Sequence, residues 1–241
     1  MGLIDIHSHI LPGVDDGAKN LEDSIALLNQ EKENGVSSVV LTPHFYPDIH
    51  TLEDYRQHCC QAFEELKNAI QSMELPEIFL GFEVQYFTGI SKCHNLDLLC
   101  FNGTHYLLLE LPFLTPLSHT MLDEVVKINR DLGITVIIAH IERYKDDKLF
   151  KKLLKIIDSQ DARAQISAES IFIKDFKKIT NKLLKKNLVS YIASDAHSVK
   201  ERPVYIKKAV DHLREKFHPQ LIACIKNGER IENALKGNKN D

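Results

Sequence analysis

The residues of this chain that could do chemistry are imidazoles and carboxylates that recur where predicted strands end. Near the amino terminus, His7 and His9 follow a short apolar run. Alternate residues of a strand project from the same face, so the two imidazoles are predicted to point at one place. Neutral imidazole is a common metal ligand in proteins. Taken alone, the pair is more often two polar residues on the wet face of a surface strand than a metal site.

A regular alternation of short apolar runs and longer amphipathic segments supplies the elements that would position such groups. The apolar runs predict seven strands, at residues 3–7, 36–42, 78–83, 105–110, 134–139, 163–167 and 188–194. Between them lie helical patterns, the first with Asn20 as its cap and Gly35 as its stop. Residues 84–101 are poorly patterned, and we expect only a short helix there. Repeated strand–helix units favour a parallel sheet.

Seven such units without a linker predict an α/β fold of one domain over residues 1–241, a distorted (β/α)7 barrel. An open doubly wound sheet is the alternative. Ligand-type side chains follow six of the seven predicted strands, and the sixth strand ends instead in Gln165 and Ser167. The ligand-type residues are His7, His9, Asp15, Asp16, His44, Glu83, Glu110, His140, Asp195 and His197.

These groups are predicted to meet, because the carboxyl ends of barrel strands lie at one face, where catalytic groups are assembled. Several of them end buried-type apolar runs. An unpaired carboxylate or imidazole in such a place costs several kcal/mol, so each needs a partner. Metal ions would satisfy many such groups together. The sequence therefore predicts a metal site at the carboxyl face of the sheet.

The bulk composition is that of an ordinary soluble protein. The chain has 241 residues, of which 44% are hydrophobic and 27% charged, and its formal net charge is −4 with both signs mixed, which argues against nucleic acid as a partner. No apolar run approaches the roughly 18 residues of a membrane span, and Asp5 and His7 stand where a signal peptide would be apolar. Five cysteines without C-x-x-C spacing are typical of free thiols. We therefore expect a cytoplasmic protein with no direct membrane insertion.

Five sequence blocks resemble the polymerase-and-histidinol-phosphatase (PHP) superfamily. Within it, the chain most resembles the manganese-dependent protein-tyrosine phosphatases encoded in bacterial capsule and exopolysaccharide loci. The resemblance extends over nearly the whole chain, in order and spacing, and it implies a TIM-like, distorted seven-stranded barrel with a trinuclear metal centre at the strand carboxyl ends. The blocks are residues 5–9 (DIHSH), 14–17 (VDDG), 42–44 (TPH), 139–143 (AHIER) and 193–197 (ASDAH).

The resemblance also implies roles for individual residues. The implied cofactors are three divalent metal ions, with Mn²⁺ expected and Fe or Zn as alternatives. Glu83 would bridge two of them, and Arg143 and Arg202 would bind phosphate as forked donors. Asp15 is expected to be a loop neighbour of the ligand Asp16, with exchanged roles of the two as the alternative. The implied metal ligands are His7, His9, Asp16, His44, Glu83, Glu110, His140, Asp195 and His197.

The implied reaction is hydrolysis of phosphotyrosine on a protein by a metal-activated hydroxide, without a cysteine nucleophile. The implied partner is the cognate tyrosine kinase of the same capsule locus, whose dephosphorylation would regulate capsule or exopolysaccharide synthesis. Relatives often carry basic residues or histidines after the position of His44. This chain has the sequence FYPD there, and Asp48 is placed to repel acidic peptides.

Three other functions fit parts of the sequence. A histidinol-phosphate phosphatase or another small-phosphoester hydrolase would use similar ligands, and a non-catalytic, metal-stabilised binding module would keep the fold without turnover. Residues 224–230 also match the C-x5-R spacing of cysteine-dependent tyrosine phosphatases. That chemistry needs a phosphate-binding loop and an activated thiol. Cys224 is instead predicted to lie in an apolar helical run that ends at Asn227 and Gly228.

Overall fold

The sheet that positions the site is parallel at every pairing of its strands. A computed structural model describes residues 3–237. Its strands are β1 (Leu3–Ser8), β2 (Val36–Leu41), β3 (His44–Phe45), β4 (Glu77–Leu80), β5 (Glu83–Gln85), β6 (Tyr106–Glu110), β7 (Thr135–Ile138), β8 (Arg163–Ser167) and β9 (Tyr191–Ala193). Its helices are α1 (Leu21–Glu33), α2 (Leu52–Ala69), α3 (His119–Leu132), α4 (Phe150–Asp158), α5 (Lys174–Lys185), α6 (Ile206–Lys216) and α7 (His218–Gly237).

The strands form a curled sheet whose two outer members approach each other. One ladder runs β1-β2-β4 and the other runs β3-β5-β6-β7-β8-β9. Because β3 follows β2 after two residues, and β5 follows β4 after two, the nine strands occupy seven positions. A parallel bridge pairs Ser8 with Ala196, and the backbone N–H of His9 donates to the Ala196 carbonyl at 2.8 Å. The expected distorted (β/α)7 barrel is therefore confirmed.

Between β4 and β6, two predicted elements differ from the structure. The third predicted strand, at residues 78–83, is two strands, because the ladder passes from one set of partners to the other at Gly81. Gly81 packs so closely on Phe101 that an added Cβ would lie 2.5 Å from the Phe101 Cδ1 atom. The poorly patterned segment that follows β5 contains two short 3-10 turns rather than one helix, at Ile90–Lys92 and Leu96–Leu99.

The helices begin and end largely where capping chemistry predicts. The Asn20 side chain accepts a hydrogen bond from the Asp23 backbone N–H at 2.9 Å and starts α1. Gly35, with φ of 80°, lies just beyond the end of the same helix. Buried residues such as Leu27 and Leu28 face the sheet from α1. Among residues 3–237, no helix is both long and apolar enough to cross a membrane.

The last helix, α7, packs on the amino-terminal end of the sheet. The Asn227 amide donates to the Ser190 carbonyl at 3.2 Å, just before β9. Gly228 lies so close to Ile4, near the start of β1, that an added Cβ would meet the Ile4 Cγ2 atom at 2.7 Å. Ile231 joins an apolar cluster with residues of β1, β2, β4, β6, β7 and β9. The amino-terminal end of the sheet is therefore a packed apolar region, and the predicted site residues lie at the other end.

Candidate metal centre

The buried carboxylate of Glu83, at the start of β5, lies at the centre of the predicted site residues. Its Oε2 atom is 3.2 Å from His7 Nε2, 3.3 Å from His9 Nε2 and 3.0 Å from His44 Nδ1. Its Oε1 atom is 3.0 Å from His140 Nε2. Burial by itself raises the pKa of this carboxyl, but the imidazoles of His7, His140 and His44 hold the pKa of Glu83 well below its usual range. One carboxylate therefore contacts imidazoles carried by β1, β3 and the end of β7.

The described residues form three groups that could each hold a metal ion. Within each group, the ligand atoms lie within 4.8 Å of one another. Asp16, on the loop after β1, joins two imidazoles, with its Oδ1 atom 3.6 Å from His44 Nε2 and 3.5 Å from His197 Nε2. Glu110, at the end of β6, lies 3.2 Å from His140 Nε2. All nine predicted ligands are therefore in or beside these groups. The groups are His9, Asp16, His44 and His197; His7, His9 and Asp195; and His44, Glu83 and Glu110.

His7, in β1, and His9, directly after it, are both oriented through their Nδ1 atoms. His9 Nδ1 donates to Asp15 Oδ2 at 2.6 Å, and His7 Nδ1 donates to Gln165 Oε1 at 3.2 Å. Each neutral ring then carries its lone pair on Nε2. The two Nε2 atoms lie only 3.2 Å apart. Two facing lone pairs at that distance repel each other unless a proton or a metal ion is shared between them, so the arrangement suits a bound cation.

The third oriented imidazole is that of His197. Its Nδ1 donates to the backbone carbonyl of Asp195 at 2.9 Å, while its buried Nε2 has no hydrogen-bond partner. Hydrogen bonds that fix the tautomer of a ring from the far side are the usual support of metal-binding histidines. The donor set therefore fits divalent ions that accept both imidazole and carboxylate.

The pKa values of two buried imidazoles indicate how strongly the site attracts positive charge. Burial lowers the pKa of His9, but the carboxylates of Asp15 and Glu83 outweigh it and raise the pKa to about 10. Burial and the Arg143 guanidinium likewise lower the pKa of His140, yet its carboxylate neighbours raise it to about 9. A site that draws protons onto neutral rings in this way would bind metal cations in their place.

Two residues at the site hold an unusual backbone conformation. His140, after β7, has φ of 31°, and Asp195, after β9, has φ of 55°. A residue with a side chain at positive φ costs about 1–3 kcal/mol and persists only where the surrounding structure enforces it. Both residues are predicted ligands, so the strain lies at the functional end of the sheet.

The two predicted phosphate-binding arginines lie against the same carboxylate. Arg143 Nη2 donates to Asp195 Oδ2 at 2.7 Å, and Arg202 Nη2 lies 2.9 Å from Asp195 Oδ1. Burial raises the pKa of Asp195, but His7 and the two guanidinium groups outweigh burial and hold the pKa well below its usual range. The arginine side chains remain 27% and 36% exposed, so solvent reaches them beside the buried cluster.

Two orienting residues were not predicted from the sequence. Asp15, expected to be only a neighbour of Asp16, accepts hydrogen bonds from His9 Nδ1 and, at 3.1 Å, from the His44 backbone N–H. Gln165 accepts from His7 Nδ1 and, at 2.7 Å, from the His140 backbone N–H. For Gln165 the available signal was a polar residue within a buried strand, which needs a partner.

A further feature of the site is a pair of buried carboxyl groups, Asp5 and Glu31, between α1 and the sheet. Asp5 Oδ1 accepts hydrogen bonds from the His7 N–H at 3.2 Å and from the Ser194 N–H at 3.0 Å, which joins β1 to the segment after β9. Burial raises the pKa of Asp5, and burial together with the Asp5 charge raises the pKa of Glu31 well above its usual range. Glu31 therefore holds its proton more tightly in the folded protein than in the unfolded chain.

The C-x5-R match has no comparable site. Cys224 is buried within α7, which continues through Asn227 and Gly228 instead of ending there as predicted. Burial raises the pKa of the Cys224 thiol to about 12, so the thiolate is scarce at neutral pH. A continuous helix also offers no loop of backbone N–H groups around the sulfur.

Fold and site together define the class of protein: a TIM-like α/β barrel with imidazoles and carboxylates gathered at the carboxyl ends of its strands. The sequence profile of the family described as "Capsular polysaccharide synthesis, CpsB/CapC" matches residues 3–232. The chain belongs to this family, which confirms the expected resemblance.

Named relatives and a solved structure agree with this assignment. The chain is 31% identical over 238 residues to the "Putative tyrosine-protein phosphatase CapC" of Staphylococcus aureus, covering 95% of this chain and 91% of the relative. It is 29% identical to the "Tyrosine-protein phosphatase YwqE" of Bacillus subtilis (strain 168), covering 91% and 87%. A crystal structure from work on YwqE of Bacillus subtilis and CpsB of Streptococcus pneumoniae, described as "unique metal-dependent tyrosine phosphatases", superposes with a TM-score of 0.82. In that match the identity is 26%, and 97% of this chain and 94% of the other are covered.

Proposed function

We propose that this protein is a metal-dependent phosphatase that hydrolyses phosphotyrosine on other proteins, with residues 1–241 acting as a single domain. The observation that carries the proposal is the set of four imidazole nitrogens 3.0–3.3 Å from the carboxylate oxygens of Glu83. A buried carboxylate with that many imidazole neighbours is a metal-binding arrangement rather than a packing one. The named relatives supply the reaction, and the donor set agrees with it.

The site is proposed to hold three divalent ions, with Mn²⁺ as the resident metal and Fe or Zn as alternatives. Imidazole mixed with carboxylate suits all three. When bound, such ions lower the pKa of water, which makes it a nucleophile, and polarise phosphoryl oxygens. The proposed ligands are His7, His9, Asp16, His44, Glu83, Glu110, His140, Asp195 and His197.

Two arginines are proposed to bind and orient the phosphate group. Arg143 and Arg202 are both anchored on Asp195, which fixes their position beside the cluster. A guanidinium has five N–H donors, so donors remain for two phosphate oxygens in the forked geometry that suits them. A phosphomonoester brings a charge of roughly −1.5 to −2. The two cationic groups therefore favour its entry and the charge that develops on its oxygens.

The substrate is proposed to be a phosphotyrosine-bearing protein of the cytoplasm, namely the tyrosine kinase of the same capsule locus. The family description refers to capsular polysaccharide synthesis, and the relatives are named as tyrosine-protein phosphatases. Removal of phosphate from that kinase would then regulate synthesis of capsule or exopolysaccharide.

The proposal is tested on purified protein by elemental analysis and phosphatase assay together. We expect at least two transition-metal ions per chain, loss of p-nitrophenyl phosphate hydrolysis on chelation, and recovery on addition of Mn²⁺. A phosphotyrosyl peptide is expected to be turned over faster than histidinol phosphate. Full activity in a metal-free preparation would refute the metal, and preference for histidinol phosphate would refute the substrate.

A matched pair of histidine variants separates the site from general effects of substitution. His140→Ala removes an imidazole from Glu83, and we expect it to abolish activity and lower the metal content. His58→Ala changes an exposed histidine on α2 and is expected to leave both unchanged. Metal retained at full stoichiometry without hydrolysis in the wild-type protein would favour a non-catalytic binding module.

A further inference from the structure

Two loops stand at the mouth of the candidate metal centre. One, residues 46–50, follows β3, and the other, residues 111–118, follows β6. They line an open groove of about 860 Å³ that also includes Glu110. Because Glu110 lies 3.2 Å from the His140 imidazole, the groove leads directly into the cluster. A substrate whose phosphate lies at the cluster would therefore place its adjoining part in this groove.

The loops carry the most exposed large apolar side chains of residues 3–237. Leu114 is 88% exposed, Ile49 is 75% and Phe113 is 54%, whereas no other large apolar side chain in this part of the chain exceeds 44%. Single exposed apolar residues are ordinary, but three at the mouth of one site indicate a contact surface. Phe113 and Leu114 line the groove themselves, and Ile49 is adjacent to its lining residue Asp48.

The charge of the groove has one sign. Asp48 and Glu110 are its only charged lining residues among those described, and neither Lys nor Arg lines it. The guanidinium-bearing Arg143 lines a neighbouring groove instead, which shares residues 112–115 with this one. Asp48 therefore sets the charge at the outer part of the groove, since Glu110 belongs to the cluster.

We propose that this groove binds the polypeptide flanking the phosphotyrosine, with an apolar residue against Phe113 and Leu114 and a Lys or Arg residue beside Asp48. The inference rests on the proposed function, because the occupant is the continuation of the phosphotyrosyl chain. The apolar surface matches an apolar flanking side chain, and the negative charge matches a basic one. Asp48 is thus a specificity-determining residue that disfavours acidic flanks.

The charge preference is tested by binding, separately from turnover. Two fluorescent peptides carry a non-hydrolysable phosphonate analogue of phosphotyrosine and differ only in having Lys or Glu at the flanking positions. Fluorescence anisotropy on the Mn²⁺-loaded protein is expected to give a Kd about tenfold lower for the Lys peptide, a preference that salt weakens. Asp48→Asn is expected to reduce the preference to about threefold or less. Asp158→Asn, on the remote helix α4, should preserve it.

The apolar contact is tested by a second variant with its own control. Phe113→Ala combined with Leu114→Ser is expected to raise the Kd of a Leu-flanked peptide about tenfold and to change that of a Gly-flanked peptide much less. Leu132→Ser, at an apolar residue 42% exposed at the end of α3, should change neither.

The outcomes separate this inference from the proposed function. Equal affinity for the Lys and Glu peptides, or an Asp48→Asn protein that keeps the full preference, overturns the groove assignment even if the enzyme is active. Flank-dependent binding by a protein that hydrolyses no phosphotyrosyl peptide supports the groove and refutes the catalytic proposal.

Discussion

The two ends of β1 and β9 are built from opposite chemistry, although the same strands form both. At the amino-terminal end, α7 packs its apolar side chains and Gly228 against residues such as Ile4. At the carboxyl-terminal end, imidazoles and carboxylates face each other at 3.0–3.7 Å, and two of them, His140 and Asp195, have positive φ. The comparison teaches that apolar burial is kept at one end, whereas strain and charge are placed at the end where chemistry is assembled.

Removal of the central charge should have the largest effect. Glu83→Gln keeps the shape of the side chain but removes the charge that four imidazoles contact, so kcat/KM for p-nitrophenyl phosphate is expected to fall at least about 10³-fold. Glu124→Gln alters another buried glutamate, which binds Tyr86 and Gly89 away from the cluster. It should lower stability and leave turnover per folded molecule unchanged. Similar activity in the two variants would mean that turnover does not need the charge of Glu83.

Two glycines, one at each end, provide the next test. In Gly17→Ala the added Cβ would lie 2.0 Å from the His9 backbone oxygen, which cannot move without shifting a ligand. We expect a loss of about 3 kcal/mol, or roughly 6–12 °C in Tm, together with weaker metal binding. In Gly228→Ala the clash is with the Ile4 side chain, and the better helix propensity of alanine offsets about 1 kcal/mol of it. Scanning calorimetry and Mn²⁺ titration should show a smaller loss of Tm and unchanged metal affinity for this variant.

Removal of Gln165, which holds two of the histidines in place, should have an intermediate effect on metal binding. Gln165→Ala removes the acceptor for His7 Nδ1 and for the His140 N–H, so Mn²⁺ affinity measured by calorimetric titration is expected to fall about 10–100-fold. Gln71→Ala, at an exposed position after α2, is the matched control. Unchanged affinity in Gln165→Ala would mean that the rings are positioned by packing alone.

The smallest expected effect is on the pH dependence of stability, and it comes from Glu31, where α1 meets the sheet. Glu31 has a raised pKa in the folded protein, so it holds a proton that the unfolded chain releases above about pH 4.3. The stability it contributes is complete below that pH and is lost as pH rises toward its folded-state pKa. Urea unfolding of chelated protein at pH 5.5 and 8.5 should therefore show a larger alkaline loss for wild type than for Glu31→Gln. Parallel losses would show that the carboxyl is ionised in the folded state.

Much of the fold could be predicted because its signals are local. Apolar runs of strand length, the Asn20 cap and the glycine after α1 depend on neighbours in sequence, and the structure has all of them. The break between β4 and β5 could not be read in the same way. It arises where Gly81 meets Phe101, twenty residues later in the chain, and the two-residue strand β3 exists only because β5 pairs with it.

The features of the site also divide into those that the sequence predicts and those that depend on the tertiary structure. The sequence by itself determined which side chains can bind metal and that they follow strands, since strand periodicity and the rule of strand ends need no distances. Only the tertiary structure decided that Glu83 contacts four imidazoles, that Asp15 and Gln165 fix the ring tautomers, and that Glu31 is buried against Asp5. These contacts join residues up to 158 positions apart, and closure of the barrel brings them within hydrogen-bonding distance. No local pattern records such a separation, because the distance is set by packing of the whole sheet.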